Sequence, residues 1–164
     1  MKTLFLIGGT MGVGKSTVGQ LLKGRLPNSV FLDGDWCWDA HPFFVTEETK
    51  KMVMDNICYL LNNFLRCSVY ENVIFCWVMH EQGILDEILS RLGTDSCRVC
   101  AISLTCSEEE LIRRIQKDIE AGIRIPDVLE RSLARLPLYQ QLNTIQIDTS
   151  GKDPKEIANE IADL

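Results

Sequence analysis

The stretch Gly9-Thr10-Met11-Gly12-Val13-Gly14-Lys15-Ser16 decides the fold. It has the order GxxxxGK[ST], and it stands after the apolar run Thr3–Gly8 and before a helical pattern over Lys15–Leu26. Each residue type in it answers a separate physical need. Gly9, Gly12 and Gly14 let the backbone curl into a nest whose N–H groups point at a phosphate, and the following helix adds its positive end. Lys15 supplies an ammonium for the β- and γ-phosphates, and Ser16 a hydroxyl for Mg²⁺. The stretch predicts that Gly9, Thr10, Met11, Gly12, Val13, Gly14, Lys15, Ser16 and Thr17 bind ATP with Mg²⁺.

Working outward, short apolar runs alternate with longer helical patterns. The runs are Thr3–Gly8, Val30–Asp33, Asn72–Met79, Arg98–Leu104 and Thr144–Asp148. Between them, Thr46–Phe64 carries Met52, Ile57, Leu60, Leu61 and Phe64 at helical spacing, and Ile84, Leu85, Ile88, Leu89 and Leu92 repeat the pattern. Ser107-Glu-Glu-Glu110 reads as a capping-box start for a helix bearing Leu111, Ile112, Ile115 and Ile119. Asp153-Pro154-Lys155-Glu156 starts a last helix in the same way, with Pro154 at its first position. Such alternation predicts an α/β fold: a five-stranded parallel sheet with helices on both faces.

At 164 residues and 46% hydrophobic, the chain suits one domain, residues 1–164. The formal charge of −6 opposes a long polyanion, so no nucleic-acid partner is expected. No apolar run approaches the roughly 20 residues of a membrane span, and the N-terminus lacks a signal-peptide pattern. A cytoplasmic protein with no membrane partner is expected. Seven cysteines form no evident framework, and reduced thiols are the expectation. Cys97 and Cys100 make a CxxC, but positions three apart on a strand point to opposite faces, which argues against a shared metal.

Asp33-Gly34-Asp35 follows the second apolar run, at the carboxyl end of a strand, where open parallel sheets hold their ligands. With this acidic pair beside the glycine loop, the sequence resembles the P-loop small-molecule kinases, which include adenylylsulfate, gluconate and shikimate kinases. The resemblance spans most of the chain in element order, but only the glycine loop and Asp33-Gly34-Asp35 match at motif level. It implies the P-loop nucleoside triphosphate hydrolase fold of nucleotide-kinase type, with Asp33 at the magnesium and Asp35 on the acceptor hydroxyl, often as its base. Phosphoryl transfer does need charge neutralisation plus one group that orients a nucleophile, and two carboxylates divide those jobs.

Other features depart from the commonest P-loop pattern. The third run ends Val78-Met79-His80 with no acid until Glu81, which speaks against a motor or switch protein. Met52-Val53-Met54-Asp55 mimics the missing acidic strand, yet it lies within a helical pattern. Trp36, Trp38, Phe43 and Phe44 follow Asp35, and Trp77 and His80 sit at the end of the third run. An acceptor-binding insert over about residues 36–66 is expected, with all three tryptophans at one mouth and Asp35, Trp36 and Trp77 lining a small-molecule acceptor; the alternative is that the tryptophans pack the helix of residues 46–64 against the sheet. Aromatic walls suit a nucleobase, a sugar face or an aromatic antibiotic. Only Lys50, Lys51 and Arg66 are cationic in this segment, which disfavours a strongly anionic acceptor.

Between the fourth and fifth runs, Ala121–Gln141 is basic and interrupted by Gly122, Pro126 and Pro137, and a mobile lid is expected there, over about residues 121–141. Resemblance to nucleotide kinases implies that Arg114 stacks on adenine and that the lid carries a catalytic arginine. The family's next lid position falls on Asp118, so that role passes to Arg124 or else Arg131. Together these readings point to an ATP-dependent phosphotransferase, a kinase, with Lys15, Asp35 and Arg124 catalytic and Ser16 and Asp33 holding the metal. The alternative is a regulatory ATP-binding module with slow ATPase activity, which needs no acceptor carboxylate.

Overall fold

The structure, a computed structural model, describes residues 1–164. Five parallel strands, β1 (Lys2–Gly8), β2 (Ser29–Asp33), β3 (Asn72–Cys76), β4 (Cys97–Thr105) and β5 (Ile145–Asp148), form one sheet in the order β2-β3-β1-β4-β5. The helices are α1 (Lys15–Arg25), α2 (Glu47–Arg66), α3 (Gln82–Arg91), α4 (Glu108–Glu120), α5 (Val128–Arg135) and α6 (Pro154–Ala162), with 3₁₀ turns at Gly34–Trp38 and Leu136–Gln141. The strand order reverses beside β1, so the loop after β1 opens at the crevice where such sheets bind ligands.

The period-two alternation of the strands sorts the core into two layers. Leu4, Leu6, Val73 and Phe75 pack under α2 and α3 with Val53, Ile57, Leu61 and Ile88. Phe5, Ile7, Ile74 and Cys76 face α1 and α6, meeting Val18, Leu22, Ile157 and Ile161. Cys97 packs against the first layer and Cys100 belongs to the second, so the CxxC is split across the sheet.

Local signals set the helix starts. Thr46 and Thr49 close a full capping box on α2, and Asp153 and Glu156 close one on α6. At α4 only half the expected box forms: the Ser107 hydroxyl accepts from the Glu110 N–H. Glu110 pairs instead with Arg113 and Arg114, and the Ser107 N–H donates to Ser150 Oγ.

Two sequence expectations change. β3 stops at Cys76, where an apolar run had suggested strand as far as Met79. The chain turns there, with Met79 fully buried against Gly8 at a left-handed φ of 35°. The segment expected as a lid is largely docked: Val128, Ser132, Leu136 and Tyr139 are buried, and Val128 and Leu136 share a small core with Leu111 and Ile115 of α4. The outward part is Ala121–Asp127, where Ile123 and Ile125 stand exposed on either side of Arg124.

Gly19 has no room for a side chain, because a Cβ there would lie 2.4 Å from Phe31 Cε2 and 2.7 Å from Cys76 Sγ. Helix α1 lies that close to the sheet, which fixes where the helix begins. Gly19→Ala is expected to destabilise the fold by about 1–3 kcal/mol, as overpacking of a filled core does. Urea unfolding measures it, and an unchanged midpoint would show that α1 sits more loosely than described.

Candidate active site

The glycine loop runs from the end of β1 into α1. Gly12 and Gly14 hold φ of 86° and 104°, values open to glycine and strained for other residues. Gly12 also has a neighbour: a Cβ there would lie 2.6 Å from Ile115 Cγ1, so α4 closes directly on the loop. Gly14 is the N-cap of α1 and offers no side-chain cap, and no acid occupies the first turn. The first N–H groups of α1 are left for an anion.

Lys15 Nζ donates one hydrogen bond, to the Thr10 carbonyl oxygen at 3.0 Å. Desolvation lowers its pKa to about 8, against the opposing attractions of Cys76, Asp35 and Asp33. Beside it, Ser16 Oγ donates to Asp33 Oδ2 at 2.6 Å. Asp33 also accepts from the Asp35 N–H on its other oxygen, at 3.0 Å, and so caps the 3₁₀ turn that carries Asp35.

Gly34 separates the two carboxylates for a steric reason. Trp77 lies on its Cα side so closely that a Cβ would come within 2.4 Å of Trp77 Cγ. Burial, then the neighbouring Asp33 charge, raise the Asp35 pKa, while Lys15, the Trp77 indole and Arg124 pull it down. Asp33 and Asp35 thus differ in environment: one engages Ser16, and the other lies beside the Trp77 indole.

These residues fit a magnesium triphosphate. An under-satisfied ammonium and an uncapped helix end both demand an anion, and a hydroxyl 2.6 Å from a carboxylate offers two hard oxygens to a cation. No cluster of three or more His, Cys, Asp or Glu side chains forms an all-protein metal cage. Mg²⁺ commonly takes one or two protein oxygens and fills its octahedron with phosphate and water.

Of the arginines, Arg124 is placed within the field of both Lys15 and Asp35, held by Asp118 Oδ2 at 2.9 Å. The acid that departs from the kinase pattern thus anchors the arginine expected to replace it. Arg131 pairs with Asp127 on the outer surface at 3.6 Å. Arg114 binds Glu110 Oε1 (2.9 Å), the Val13 carbonyl (3.2 Å), Thr149 Oγ1 (2.9 Å) and the Thr149 carbonyl (3.0 Å). Its N–H groups tie the glycine loop to the turn after β5.

The aromatic side chains divide into two groups. Trp38 stands between Phe43 (4.9 Å between centroids) and Trp77 (6.0 Å), whereas Trp36 turns away to meet Phe31 edge-on at 5.5 Å. Of the three tryptophans that the sequence placed at one mouth, Trp38 joins Trp77 and Trp36 does not. Lys50 and Lys51 are paired with Glu47 and Asp55, and Asp55 also holds Arg91, so within the string Met52–Asp55 on α2 the acid serves surface ion pairs while Val53 and Met54 enter the core. Arg135, which the sequence counted among the basic residues of the 121–141 segment without giving it a site role, is half-buried, forms no ion pair, and depresses the pKa of His80 together with burial, the larger cause. His80 Nδ1 is buried without a hydrogen-bond partner, and His41 is exposed.

No helix is long and apolar enough to cross a membrane. Among proteins of known name, the shikimate kinase of Francisella philomiragia is 28% identical over 178 residues, covering 98% of this chain and 93% of the relative. Among solved structures, a gluconokinase from Sinorhizobium meliloti superposes with a TM-score of 0.70 at 19% identity, covering 98% of this chain and 90% of that one. The Deinococcus radiodurans tunicamycin resistance protein gives a TM-score of 0.70 at 21% identity, with coverage of 99% and 95%. These likenesses establish the shared P-loop kinase fold. The family described as AAA domain matches residues 6–134, more than half the chain, and the protein belongs to that family.

Proposed function

We propose that this protein is an ATP-dependent phosphotransferase, a kinase that acts on a small hydroxyl- or phosphate-bearing acceptor. The observation that carries the proposal is the division of labour in Asp33-Gly34-Asp35: Asp33 engages Ser16 at 2.6 Å, while Asp35 has a raised pKa and lies within the field of Lys15 and Arg124. A nucleotide-binding module with slow ATPase activity would leave Asp35 without a task. The named relatives that share the fold include kinases for different acceptors, which supports the reaction class and leaves the acceptor open.

In this mechanism the backbone N–H groups of Gly12–Ser16 would cradle the phosphates, and Lys15 would balance their charge. Ser16 and Asp33 would hold Mg²⁺. When bound, ATP with Mg²⁺ supplies the transferable phosphoryl group and the charge that neutralises it. Asp35 orients the acceptor hydroxyl and accepts its proton, a task that a raised carboxyl pKa serves. Arg124, on the exposed Ala121–Asp127 segment, would stabilise the charge that develops on the transferring group, and Arg114 would stack on adenine. Trp38 and Trp77 offer an aromatic wall to the acceptor, and Arg135 is available to an acidic group on it.

Mg-ATP binding should depend on the Lys15 charge. The free-state pKa of about 8 lies below the ordinary 10.5, and phosphate contact would raise it, so triphosphate binding takes up a proton near and above pH 8. Affinity is expected to be full below about pH 8 and to fall as pH rises through that value. Calorimetry in buffers of different ionisation enthalpy reads the uptake. Lys15→Ala should lose most of the affinity and the pH dependence with it, and wild-type affinity in that variant would refute the site.

The two carboxylates are separated by substitution. Asp33→Asn is expected to change the magnesium dependence of turnover, whereas Asp35→Asn should abolish transfer to an acceptor and leave Mg-ATP affinity within about threefold of wild type. A screen of nucleosides, nucleotides, sugars and antibiotics by thermal shift, with an ATP analogue and Mg²⁺ present, supplies the acceptor. Equal loss of ATP affinity in both variants would mean that Asp35 serves the metal as well.

A further inference from the structure

The glycine loop is also gripped by a part of the chain outside its motif. Ser132 lies in the middle of α5 and, like Thr10, is 0% exposed. Its hydroxyl donates to the Met11 carbonyl at 2.5 Å, and its own carbonyl accepts from Thr10 Oγ1 at 2.7 Å. The two hydroxyl oxygens are 3.0 Å apart, and each has already given its one proton to a carbonyl. The result is a closed clasp between residues 122 positions apart.

Just beyond α5, the fully buried Tyr139 donates its hydroxyl to the Val78 carbonyl, which also accepts the Gly9 N–H at 3.4 Å. One segment therefore supports the loop at Gly9, Thr10 and Met11. The sequence of α5 points the same way. Val128, Ser132 and Leu136 follow at i, i+4 spacing on its buried face, and the apolar pattern is broken by a hydroxyl only where that face meets the loop. A packing role alone would be served by alanine, a better helix former.

We propose that Ser132 is a positioning residue for the P-loop: through Thr10 and Met11 it holds the loop in its phosphate-binding shape before nucleotide arrives, and so sets nucleotide affinity without touching the nucleotide. The physical need is plain. Gly12 and Gly14 give the loop the curvature it requires and also the freedom to lose it, and a loop already ordered does not spend binding energy on ordering. Removing the Ser132 hydroxyl takes the donor from the Met11 carbonyl, and removing the Thr10 hydroxyl releases Thr10 from the Ser132 carbonyl, which keeps the Leu136 N–H; either change loosens the loop at the start of the nest. This inference rests on the triphosphate reading of the loop.

The test titrates a non-hydrolysable ATP analogue with Mg²⁺ into the full chain by calorimetry. Wild type is compared with Ser132→Ala, Thr10→Val, the double variant, and Ile88→Ala, a core change on α3 away from the loop. Ser132→Ala and Thr10→Val should each weaken affinity on the order of tenfold. The double variant should be no weaker than the worse single by more than about twofold, because the two hydroxyls form one unit. Ile88→Ala should lower Tm with no change in affinity. Thr10→Val keeps the side chain's size and branching, so it carries the test if Ser132→Ala does not fold. Wild-type affinity in either folded variant, or fully additive losses, would overturn the proposal. A wild-type chain that binds no ATP analogue would overturn the triphosphate reading and this inference together, and it shows itself before any substitution is made.

Discussion

The rest of the site is organised around a positive charge that the protein itself leaves under-satisfied. Lys15 extends into a position where desolvation brings its pKa to about 8, and its ammonium has a single hydrogen-bond acceptor. It does so at the start of a helix with no capping side chain and no acid in its first turn. Helices α2, α4 and α6 each begin with a side-chain cap and an acidic first turn, whereas α3, like α1, begins with neither. The cost of holding charge in this way makes sense if an anion normally balances it.

Three interactions from two helices keep that loop in place. Helix α4 packs Ile115 against Gly12, so the loop follows the helix surface. Arg114, on the same helix, joins the Val13 carbonyl to Thr149 beyond β5. Helix α5 reaches Met11 through Ser132. Because α4 and α5 also share the small core of Leu111, Ile115, Val128 and Leu136, a shift of either helix would be felt at the loop. The exposed turn Ala121–Asp127 joins the two, and its Arg124 is the cation nearest in effect to Lys15 and Asp35.

Much of this was legible in the sequence. GxxxxGK[ST] between an apolar run and a helix located the loop, the alternation of runs and helices gave five parallel strands, and Asp33-Gly34-Asp35 gave the acidic pair beside them. The errors have physical causes. An apolar run does not announce a turn, so β3, which ends at Cys76 ahead of the left-handed Met79, read three residues too long. Gly122, Pro126 and Pro137 suggested a loose lid, although the i, i+4 spacing of Val128, Ser132 and Leu136 was there to be read as a docked helix. Trp36 and Trp38 lie on a 3₁₀ turn with about three residues per turn, so residues two apart cannot share a face. What sequence spacing could not show at all was which polar groups satisfy one another: the clasp at Ser132 and the full engagement of Arg114 depend on residues brought together from opposite ends of the chain.

The most direct measurement is a calorimetric titration of the wild-type chain with a non-hydrolysable ATP analogue, run with Mg²⁺ and again with the metal chelated. Binding of one analogue per chain is expected, at least tenfold tighter with Mg²⁺ because Ser16 and Asp33 then share a cation with the phosphates. Absence of binding in both titrations, or binding indifferent to Mg²⁺, would contradict the assignment of this loop and its acidic partner to a magnesium triphosphate.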